Sequence, residues 1–171
     1  RHFSHIYGLF PGNVLSTTKT PELIDPIKAV LEQRGDGGTG FSRAWKMALW
    51  ARLSDGDRAN SIYKGYLQEQ CYLSLFAKCY TPLQVDGTLG VTADISEMLV
   101  QSHEETIQLL PALPKEWNSG KFYGVCTRGA FELNLEWENG VTKKVEILSK
   151  AGKNCRISSI NTVKVFSNGN K

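Results

Sequence analysis

The stretch Phe131-Glu132-Leu133-Asn134-Leu135-Glu136-Trp137-Glu138-Asn139-Gly140 alternates apolar and polar side chains and ends in a turn sequence. A period of two places all the apolar side chains on one face of a β-strand. Asn139-Gly140 tolerates the positive φ angles of a type I′ turn, and a second strand-like run over 141–148 follows it. The stretch therefore predicts an antiparallel β-hairpin. Further strands are predicted over 105–110, 121–127, 154–160 and 162–166.

The residues before about position 104 follow a helical period instead. Apolar residues recur at i, i+4, i+7 and i+8 in a stretch that begins near Thr20-Pro21 or Asp25-Pro26 and ends before Gly35, which predicts an amphipathic helix. The next stretch, from Phe41 to Leu53, is apolar nearly all round, and we expect it to be buried between neighbouring helices. A third helix is predicted after Asp55, and a fourth carries Val91, Ile95, Met98 and Leu99.

The change of period predicts an α+β chain in sequence order, with helices first and an antiparallel β domain after them. The connection is predicted at Leu110-Pro111-Ala112-Leu113-Pro114, because its prolines can neither donate to a β ladder nor continue a helix. The predicted division is a helical part over 1–104, a linker over 105–118 and a β domain over 119–171. Helix and turn alternate as in an antiparallel α/α array, but four helices are too few to cover every apolar stripe.

Composition excludes several classes of protein. The chain has 171 residues, of which 41% are hydrophobic and 22% charged, as expected of a globular protein with one or two domains. No run approaches the roughly 20 apolar residues of a membrane helix, so no membrane partner is expected. Residues 121–171 hold nine Lys and Arg against four Asp and Glu. These cations alternate with apolar strand positions, which indicates a solvated sheet face and no nucleic-acid partner.

The N-terminus and the cysteines are the features of the sequence that bear on cellular location. The chain opens without an initiator Met or a leader, and we expect it to be a piece of a larger protein or to have lost its true N-terminus. The cysteine spacing fits neither paired metal ligands nor a dense disulfide framework, so buried free thiols are expected. In an exported protein the alternative is a Cys71–Cys79 or a Cys126–Cys155 disulfide.

Asp86 is the sharpest candidate for chemistry, because it is a carboxylate among apolar residues just before the fourth helix. One interpretation is an N-cap or an Asx-turn, and the other is a group that orients or deprotonates a water molecule. His2 and His5 have no third ligand at helical spacing, so no metal or other cofactor is expected. His103 is interpreted as a cation at a helix C-terminus.

The glycine-rich stretch over 34–42 lacks the G-K-[ST] ending of a phosphate loop and a preceding strand. We interpret it as a tight backbone path into the buried helix. A Ser-His-Asp triad is also not indicated, because the chain has no G-x-S-x-G elbow.

Five longer motifs follow one another along the chain. They are Arg1-His2-Phe3-Ser4-His5-Ile6-Tyr7-Gly8-Leu9-Phe10-Pro11-Gly12, Arg34-Gly35-Asp36-Gly37-Gly38-Thr39-Gly40-Phe41-Ser42-Arg43-Ala44-Trp45-Lys46, Gln84-Val85-Asp86-Gly87, Glu97-Met98-Leu99-Val100-Gln101-Ser102-His103 and Leu109-Leu110-Pro111-Ala112-Leu113-Pro114. In this order they resemble the C-terminal third of the inverting α-L-fucosidases of glycoside hydrolase family ninety-five. The resemblance extends over about residues 1–138.

This resemblance implies the later helices of an (α/α)6 toroid followed by a sandwich-like β domain. It also implies inverting hydrolysis of terminal fucosyl linkages, with a water molecule activated by an Asp together with Asn side chains, opposite a Glu general acid. Asp86 matches that Asp, and we expect it to face a sugar-sized hollow. Arg1 and His2 match the pair that holds the sugar, and Phe41, where the family usually has a Trp, is a further expected sugar contact.

The family's Glu and Asn residues lie upstream of the region that Arg1 represents, so we expect the chain to be inactive alone. The intact protein is expected to act on fucosylated glycans outside the cytoplasm, extracellularly or in a periplasm. Because part of a toroid leaves helix faces uncovered, we expect self-association or association with the missing N-terminal part. The alternative function is a non-catalytic carbohydrate-binding or structural module that would use Trp45, Trp117 or Trp137, although their periodicity favours the core.

Overall fold

The computed structural model describes residues 2–164 and 166. Within these residues the chain starts with two short 3-10 turns, Ser4–Ile6 and Pro21–Leu23. Four α-helices follow the pattern predicted from the sequence. They are α1 (Ile24–Arg34), α2 (Gly40–Arg52), α3 (Gly56–Glu69) and α4 (Val85–Leu99).

The strands are short before residue 110 and longer after it. They are β1 (Ala77–Lys78), β2 (Leu83–Gln84), β3 (Val100–Gln101), β4 (Ile107–Leu109), β5 (Gly120–Thr127), β6 (Phe131–Glu138), β7 (Val141–Ser149) and β8 (Ile157–Ser159). The predicted order of a helical part followed by a β domain is confirmed.

Helix α2 is the centre of the helical part, and eleven of its 13 residues are buried. Helix α3 runs antiparallel to it. Near one end Gly65 lies against the Arg43 side chain, and near the other end the Arg58 guanidinium lies 5.6 Å from the centre of the Trp50 ring. Asp55 begins α3 by accepting a hydrogen bond of 2.9 Å from the backbone N–H of Arg58, which satisfies one of the free donors of the first turn.

Helix α4 runs parallel to α2. At the start of both helices Gly87 lies against Phe41, and at their ends Glu97 forms an ion pair with Arg52. The helices thus alternate in direction from α2 through α3 to α4, so the N-termini of α2 and α4 lie at the same end of the helical part. This arrangement places the candidate site.

The predicted hairpin forms the centre of a three-stranded antiparallel sheet with the order β5-β6-β7. Asn139 and Gly140 have φ angles of 53° and 71°, as a type I′ turn requires. Alternate residues of β6 are buried, as the sequence pattern predicts. They are Phe131, Leu133, Leu135 and Trp137.

A second sheet has the order β3-β4-β8, in which β4 pairs in parallel with β8. Strand β3 follows α4 directly, so this sheet continues from the last helix. Strand β8 is shorter than the strand predicted over 154–160. A strand was also predicted over 162–166, and the described residues of that range, 162–164 and 166, form none. The interval 105–118, predicted as a linker, contains β4, and the proposed division into domains stays a prediction.

The segment after β4 packs into the helical part. The backbone N–H of Leu110 donates to the carbonyl of Leu99 at 2.8 Å, and that of Ala112 donates to the carbonyl of Met98 at 3.1 Å. Ala112 also belongs to the same apolar core as α1, α2 and α3. A side chain on Gly56, at the start of α3, would overlap the Ala112 backbone, so only glycine allows this approach.

All four cysteines are free thiols, as predicted, but only Cys71 is buried. The expectation of burial is wrong for Cys126 and Cys155, which are exposed, and Cys79 is half-buried. Cys126 lies in β5 on the face that points away from the core, since its neighbours Val125 and Thr127 are the partly buried residues there. None of the described helices has both the length and the apolar character needed to cross a membrane.

Candidate functional site

Phe41 and Asp86 lie in the first turns of the two parallel helices, α2 and α4. A Cβ atom on Gly87 would lie 2.8 Å from the Phe41 backbone nitrogen and 2.9 Å from the carbonyl carbon of Gly40. The absence of a side chain at Gly87 therefore lets the two helix starts touch. Two of the residues predicted for the site are brought together by this contact.

Asp86 is exposed, and its Oδ1 accepts a hydrogen bond of 2.9 Å from the backbone N–H of Gly87. Helix α4 begins at Val85, so Asp86 belongs to the helix and does not precede it. The N-cap residue is Gln84, which makes the N-cap interpretation of Asp86 wrong. The expectation that Asp86 faces a sugar-sized hollow is wrong for this chain, because the residue is exposed to solvent.

Gln84 joins the two helix starts. Its Oε1 accepts a hydrogen bond of 2.9 Å from the backbone N–H of Phe41. This bond satisfies a donor in the first turn of α2 that has no partner within the helix. The short β1–β2 hairpin holds Gln84 in place through its pairing with Ala77. The sequence assigned no role to Gln84, and its place in the motif Gln84-Val85-Asp86-Gly87 is the signal that could have found it.

An aromatic row connects the N-terminal segment to this site. The Phe3 ring lies 6.3 Å from the Trp45 ring in an edge-to-face arrangement, and the Trp45 ring lies 5.8 Å from that of Phe41. His2 directly precedes the row and is exposed, and its carbonyl accepts a hydrogen bond of 3.1 Å from Arg34. Arg1, the other predicted sugar-binding residue, lies outside the described residues.

Two cations lie against the first residue of this row. The Arg34 guanidinium lies 5.4 Å from the centre of the Phe3 ring, and the Lys46 ammonium lies 5.6 Å from it. Lys46 is 3% exposed and donates to the carbonyl of Gly37. Burial lowers its pKa, the carboxylate of Asp36 opposes that effect, and nearby guanidinium groups reinforce it. The predicted backbone path over 34–42 thus also holds this buried amine, which the apolar pattern of α2 concealed.

The tryptophans do not form a sugar-stacking platform. Trp137 is 7% exposed, and its Nε1 donates to the carbonyl of Trp117 at 2.7 Å. Trp45 is half-buried and donates from its Nε1 to the carbonyl of Phe10 at 2.9 Å. Trp45 and Trp117 both pack against the helical core. The core interpretation of these residues therefore fits the structure better than the alternative binding module.

His103 is not a cation at a helix C-terminus, because α4 ends at Leu99 and β3 intervenes. The side chain is 7% exposed, and its Nδ1 has no hydrogen-bond partner among the described residues. Burial lowers the pKa of His103 to about 4, and the Arg52 guanidinium acts in the same direction. The ring is therefore neutral at pH 7. Among the described residues, no group of three or more His, Cys, Asp or Glu is placed to hold a metal ion.

Residues 1–99 match the family model described as "Glycosyl hydrolase family 95 catalytic domain". Residues 101–171 match the model described as "Glycoside hydrolase family 95, C-terminal domain". The chain belongs to glycoside hydrolase family 95. The change between the two matched regions falls where α4 passes into β3.

Curated relatives of this family 95 chain carry fucosidase names. It is 38% identical to "Alpha-L-fucosidase 2" of Arabidopsis thaliana over 82% of its own length and 18% of that protein. It is 27% identical to "Probable alpha-fucosidase A" of Aspergillus niger, over 100% of the chain and 24% of the relative. A protein of the same name from Aspergillus oryzae is 28% identical, over 89% and 26%. The family 95 chain thus spans about a fifth to a quarter of these relatives.

Proposed function

We propose that this chain forms the C-terminal part of a family 95 glycoside hydrolase that removes terminal fucose from glycans with inversion of configuration. In this proposal Asp86 activates the attacking water, and Arg1, His2 and Phe41 bind the sugar. The helical part completes an (α/α)6 toroid with sequence outside this chain, and the β part is a sandwich-like domain. The fucosidase names of the relatives and the family membership support the choice of substrate.

The observation that carries the proposal is the contact between the starts of α2 and α4. Gly87, the residue after Asp86, lies against the Phe41 backbone at this end of the helical part, and Asp86 is exposed to solvent. An ionised carboxylate there accepts a proton from water as the water attacks a glycosidic carbon. Burial of the site, which such chemistry requires, would come from the residues outside this chain.

Alone, the chain is expected to release no fucose, because an inverting mechanism needs a second carboxyl group as general acid across the sugar. A chromogenic fucoside tests this expectation directly. Turnover by the isolated chain above that of buffer would contradict the assignment of the general acid to sequence outside it.

A chimera tests the role of Asp86. The part of the Arabidopsis relative that precedes the matched region is joined to this chain, and fucose release is measured. We expect activity that Asp86→Asn lowers at least about a hundredfold, because Asn cannot accept the proton. Asp25→Asn is the matched control, because Asp25 is also exposed in the first turn of a helix, and it should keep activity within about twofold.

Retention of activity by the Asp86→Asn chimera would refute the proposal. If the chimera does not fold, binding of L-fucose to this chain is followed instead by chemical-shift changes. Chemical-shift changes at Phe41 and Asp86 support the site. Changes confined to other residues refute it.

We propose further that an apolar surface between residues 73 and 89 contacts the remaining part of the catalytic domain, and a second copy of the chain when that part is absent. Large apolar side chains are exposed there, and such patches rarely stay uncovered. They include Leu73, Leu75, Leu83, Val85 and Leu89. Sedimentation of the isolated chain should show self-association, and a single monomeric species at about 100 μM would refute this. By family resemblance, the intact protein acts extracellularly or in a periplasm.

A further inference from the structure

Gln84 lies where the β1–β2 hairpin ends and α4 begins. It is the last residue of β2 and the N-cap residue of α4, and it is half-buried. Its side chain makes no capping bond to the first turn of its own helix. Its Oε1 instead accepts the hydrogen bond of 2.9 Å from the backbone N–H of Phe41 in α2. Gln84 therefore caps the neighbouring helix from the start of α4.

Helix α2 has an N-cap residue of its own that does not perform this task. That residue is Thr39, and a threonine hydroxyl at this position commonly accepts from the second or third backbone N–H of the helix. Phe41 is the second residue of α2, so its N–H is one of these donors. Thr39 makes no such bond. Because a local cap would serve α2 equally well, the bond to Gln84 provides a link between the two helices that α2 alone does not require.

Two glycines bring the helix starts close enough for this bond. A Cβ atom on Gly40 would lie 3.1 Å from Oε1 of Gln84 and 2.8 Å from Cβ of Ala77. A Cβ atom on Gly87 would lie 2.8 Å from the same Phe41 nitrogen that donates to Gln84. A side chain at either position would push the helix starts apart. The amide group of Gln84 thus occupies a gap that depends on glycine at both positions.

The backbone of Gln84 is also held in place. Gln84 pairs with Ala77 across the β1–β2 hairpin. The Thr88 hydroxyl accepts from the Ala77 N–H at 2.8 Å and donates to the Gln84 carbonyl at 3.3 Å. Strand β1, the start of α4 and the start of α2 are therefore joined at one residue. This anchoring fixes the amide oxygen before a substrate arrives.

Asp86 follows this anchor by two residues and has few contacts of its own. Among the described residues its carboxylate bonds only to the N–H of Gly87, the next residue in the chain. Its position relative to Phe41 therefore depends on how the two helix starts are held. A displacement of about 1 Å can lower the rate of a reacting group about a hundredfold. The bond that holds the helix starts together is therefore expected to affect catalysis.

We propose that Gln84 is a positioning residue of the candidate site, which fixes the spacing between the backbone of Phe41 and that of Asp86. The inference rests on the proposed function for the roles of Asp86 and Phe41. Gln84 contacts neither the water nor the sugar, and it acts through the backbone N–H of Phe41. The side-chain oxygen is the essential feature, because a backbone N–H needs an acceptor.

The first test uses this chain and needs no activity. It measures amide hydrogen exchange at Phe41 and the nuclear Overhauser effect between the Phe41 N–H and the α-protons of Gly87. Gln84→Met keeps the side-chain length and removes the acceptor, so exchange should become at least about tenfold faster and the Overhauser effect weaker. Gln84→Glu keeps an acceptor oxygen and should restore both. Gln33→Met, at an exposed glutamine of α1, is the matched control and should change neither.

The second test measures turnover in the chimera with the Arabidopsis relative, well below the melting temperature of each variant. Gln84→Met should lower kcat at least about tenfold and change KM less than about threefold, because the sugar stays with Phe41 while Asp86 is displaced from it. Gln84→Glu should recover most of the lost kcat. A purely structural role for Gln84 would leave kcat unchanged in the folded variant.

Unchanged exchange at Phe41 in Gln84→Met would overturn the inference, as would an unchanged kcat. The proposed function fails in a different way. If Asp86→Asn keeps the activity of the chimera while Gln84→Met lowers kcat, the role of Asp86 fails and the positioning of the helix starts by Gln84 stands. If Asp86→Asn abolishes activity and Gln84→Met leaves kcat unchanged, only the inference fails. If the chimera does not fold, the two measurements on this chain decide the inference.

Discussion

Arg52 of α2 and Glu97 of α4 form a bidentate ion pair between the parallel helices. The Nε and Oε2 atoms are 2.8 Å apart, and the Nη2 and Oε1 atoms are 3.2 Å apart. The Arg52 side chain is 1% exposed and that of Glu97 19%. Arg52 also donates to the carbonyls of Leu9 and Gly12, both at 3.4 Å, so one guanidinium joins α2, α4 and the N-terminal segment.

Glu97→Gln should lower the free energy of unfolding by about 3 kcal/mol. The reason is that the buried Arg52 charge loses its partner, and an unpaired buried charge is costly. Urea unfolding monitored by tryptophan fluorescence measures the change. Glu138→Gln is the control, because the Glu138–Lys143 pair is exposed, and it should leave the midpoint unchanged. Equal midpoints for Glu97→Gln and the original chain would contradict the importance of this pair.

Burial of His103 predicts a loss of stability in mild acid. The pKa of His103 is about 4 in the folded chain, mainly because burial disfavours the cation, with Arg52, Arg128 and Lys19 acting in the same direction and Glu104 against it. The unfolded chain has a His pKa near 6.5, so it takes up the proton first. The stabilising contribution is therefore complete above about pH 6.5 and is lost as the pH falls towards 4, up to about 3 kcal/mol.

The measurement compares urea unfolding of the original chain and of His103→Gln between pH 4 and 7. The difference in unfolding free energy between them should change over this interval, because only the original chain carries the buried imidazole. His5→Gln, at an exposed histidine, is the control and should run parallel to the original chain. Parallel curves for His103→Gln as well would show that the neutral ring contributes no pH dependence.

Asp94 should have the opposite pH dependence. It is 1% exposed, and its Oδ2 has no hydrogen-bond partner within the described part of the chain. Burial raises the pKa of its carboxyl group well above the usual value, and the Glu97 carboxylate adds to the shift. A raised folded pKa means that the contribution to stability is present below the unfolded pKa, near pH 4, and is lost as the pH rises.

Asp94→Asn should therefore raise the urea midpoint at pH 7, with a smaller gain at pH 4.5, because Asn has the same shape without the ionisation. The control, Asp25→Asn, changes an exposed residue of α1 and should give no gain at either pH. A lower midpoint for Asp94→Asn at pH 7 would mean that the carboxylate is stabilised in place.

Gly87→Ala should destabilise the chain by about 1–3 kcal/mol. The added methyl group would lie 2.8 Å from the Phe41 nitrogen and 2.9 Å from Ala77 Cβ, both held by regular structure, so α4 must move away from α2. Gly37→Ala is the matched control, because its Cβ would meet no atom within 4 Å. Thermal unfolding compares the two. An unchanged melting temperature for Gly87→Ala would show that the helix starts are not in firm contact.

The spacing of apolar residues predicted those helices and strands whose buried face is visible in their own sequence. The near-continuous apolar character of Phe41–Leu53 arises because α2 has neighbours on several sides, and the alternation of Phe131 to Trp137 arises because β6 is the central strand over a core. The β3-β4-β8 sheet was only partly predicted. Ile107 pairs with Ile157, so the register depends on residues about 50 positions apart that leave no shared local pattern.

The site was predicted through its motifs and not through its geometry. Asp86 was expected before α4, but the helix starts one residue earlier, at Val85, and the Thr88 hydroxyl donates to the Gln84 carbonyl at 3.3 Å in its first turn. The burial of Asp94 and His103 was not predicted, since a polar residue on a helix or in a loop is usually exposed. Both residues are buried by packing from distant segments, which a single sequence does not record.

The close fit of Gly56 against Ala112 limits where the chain can be truncated without exposing its core. The boundary between the two matched family regions lies near residue 100, yet the backbone beyond it returns to seal the base of α3 and the end of α4. A truncation at that boundary would leave Met98 and Leu99 without their backbone partners and open the helical core to water. A shortened chain that keeps the helical part, whether made in the laboratory or by natural recombination, should therefore include residues up to about Trp117.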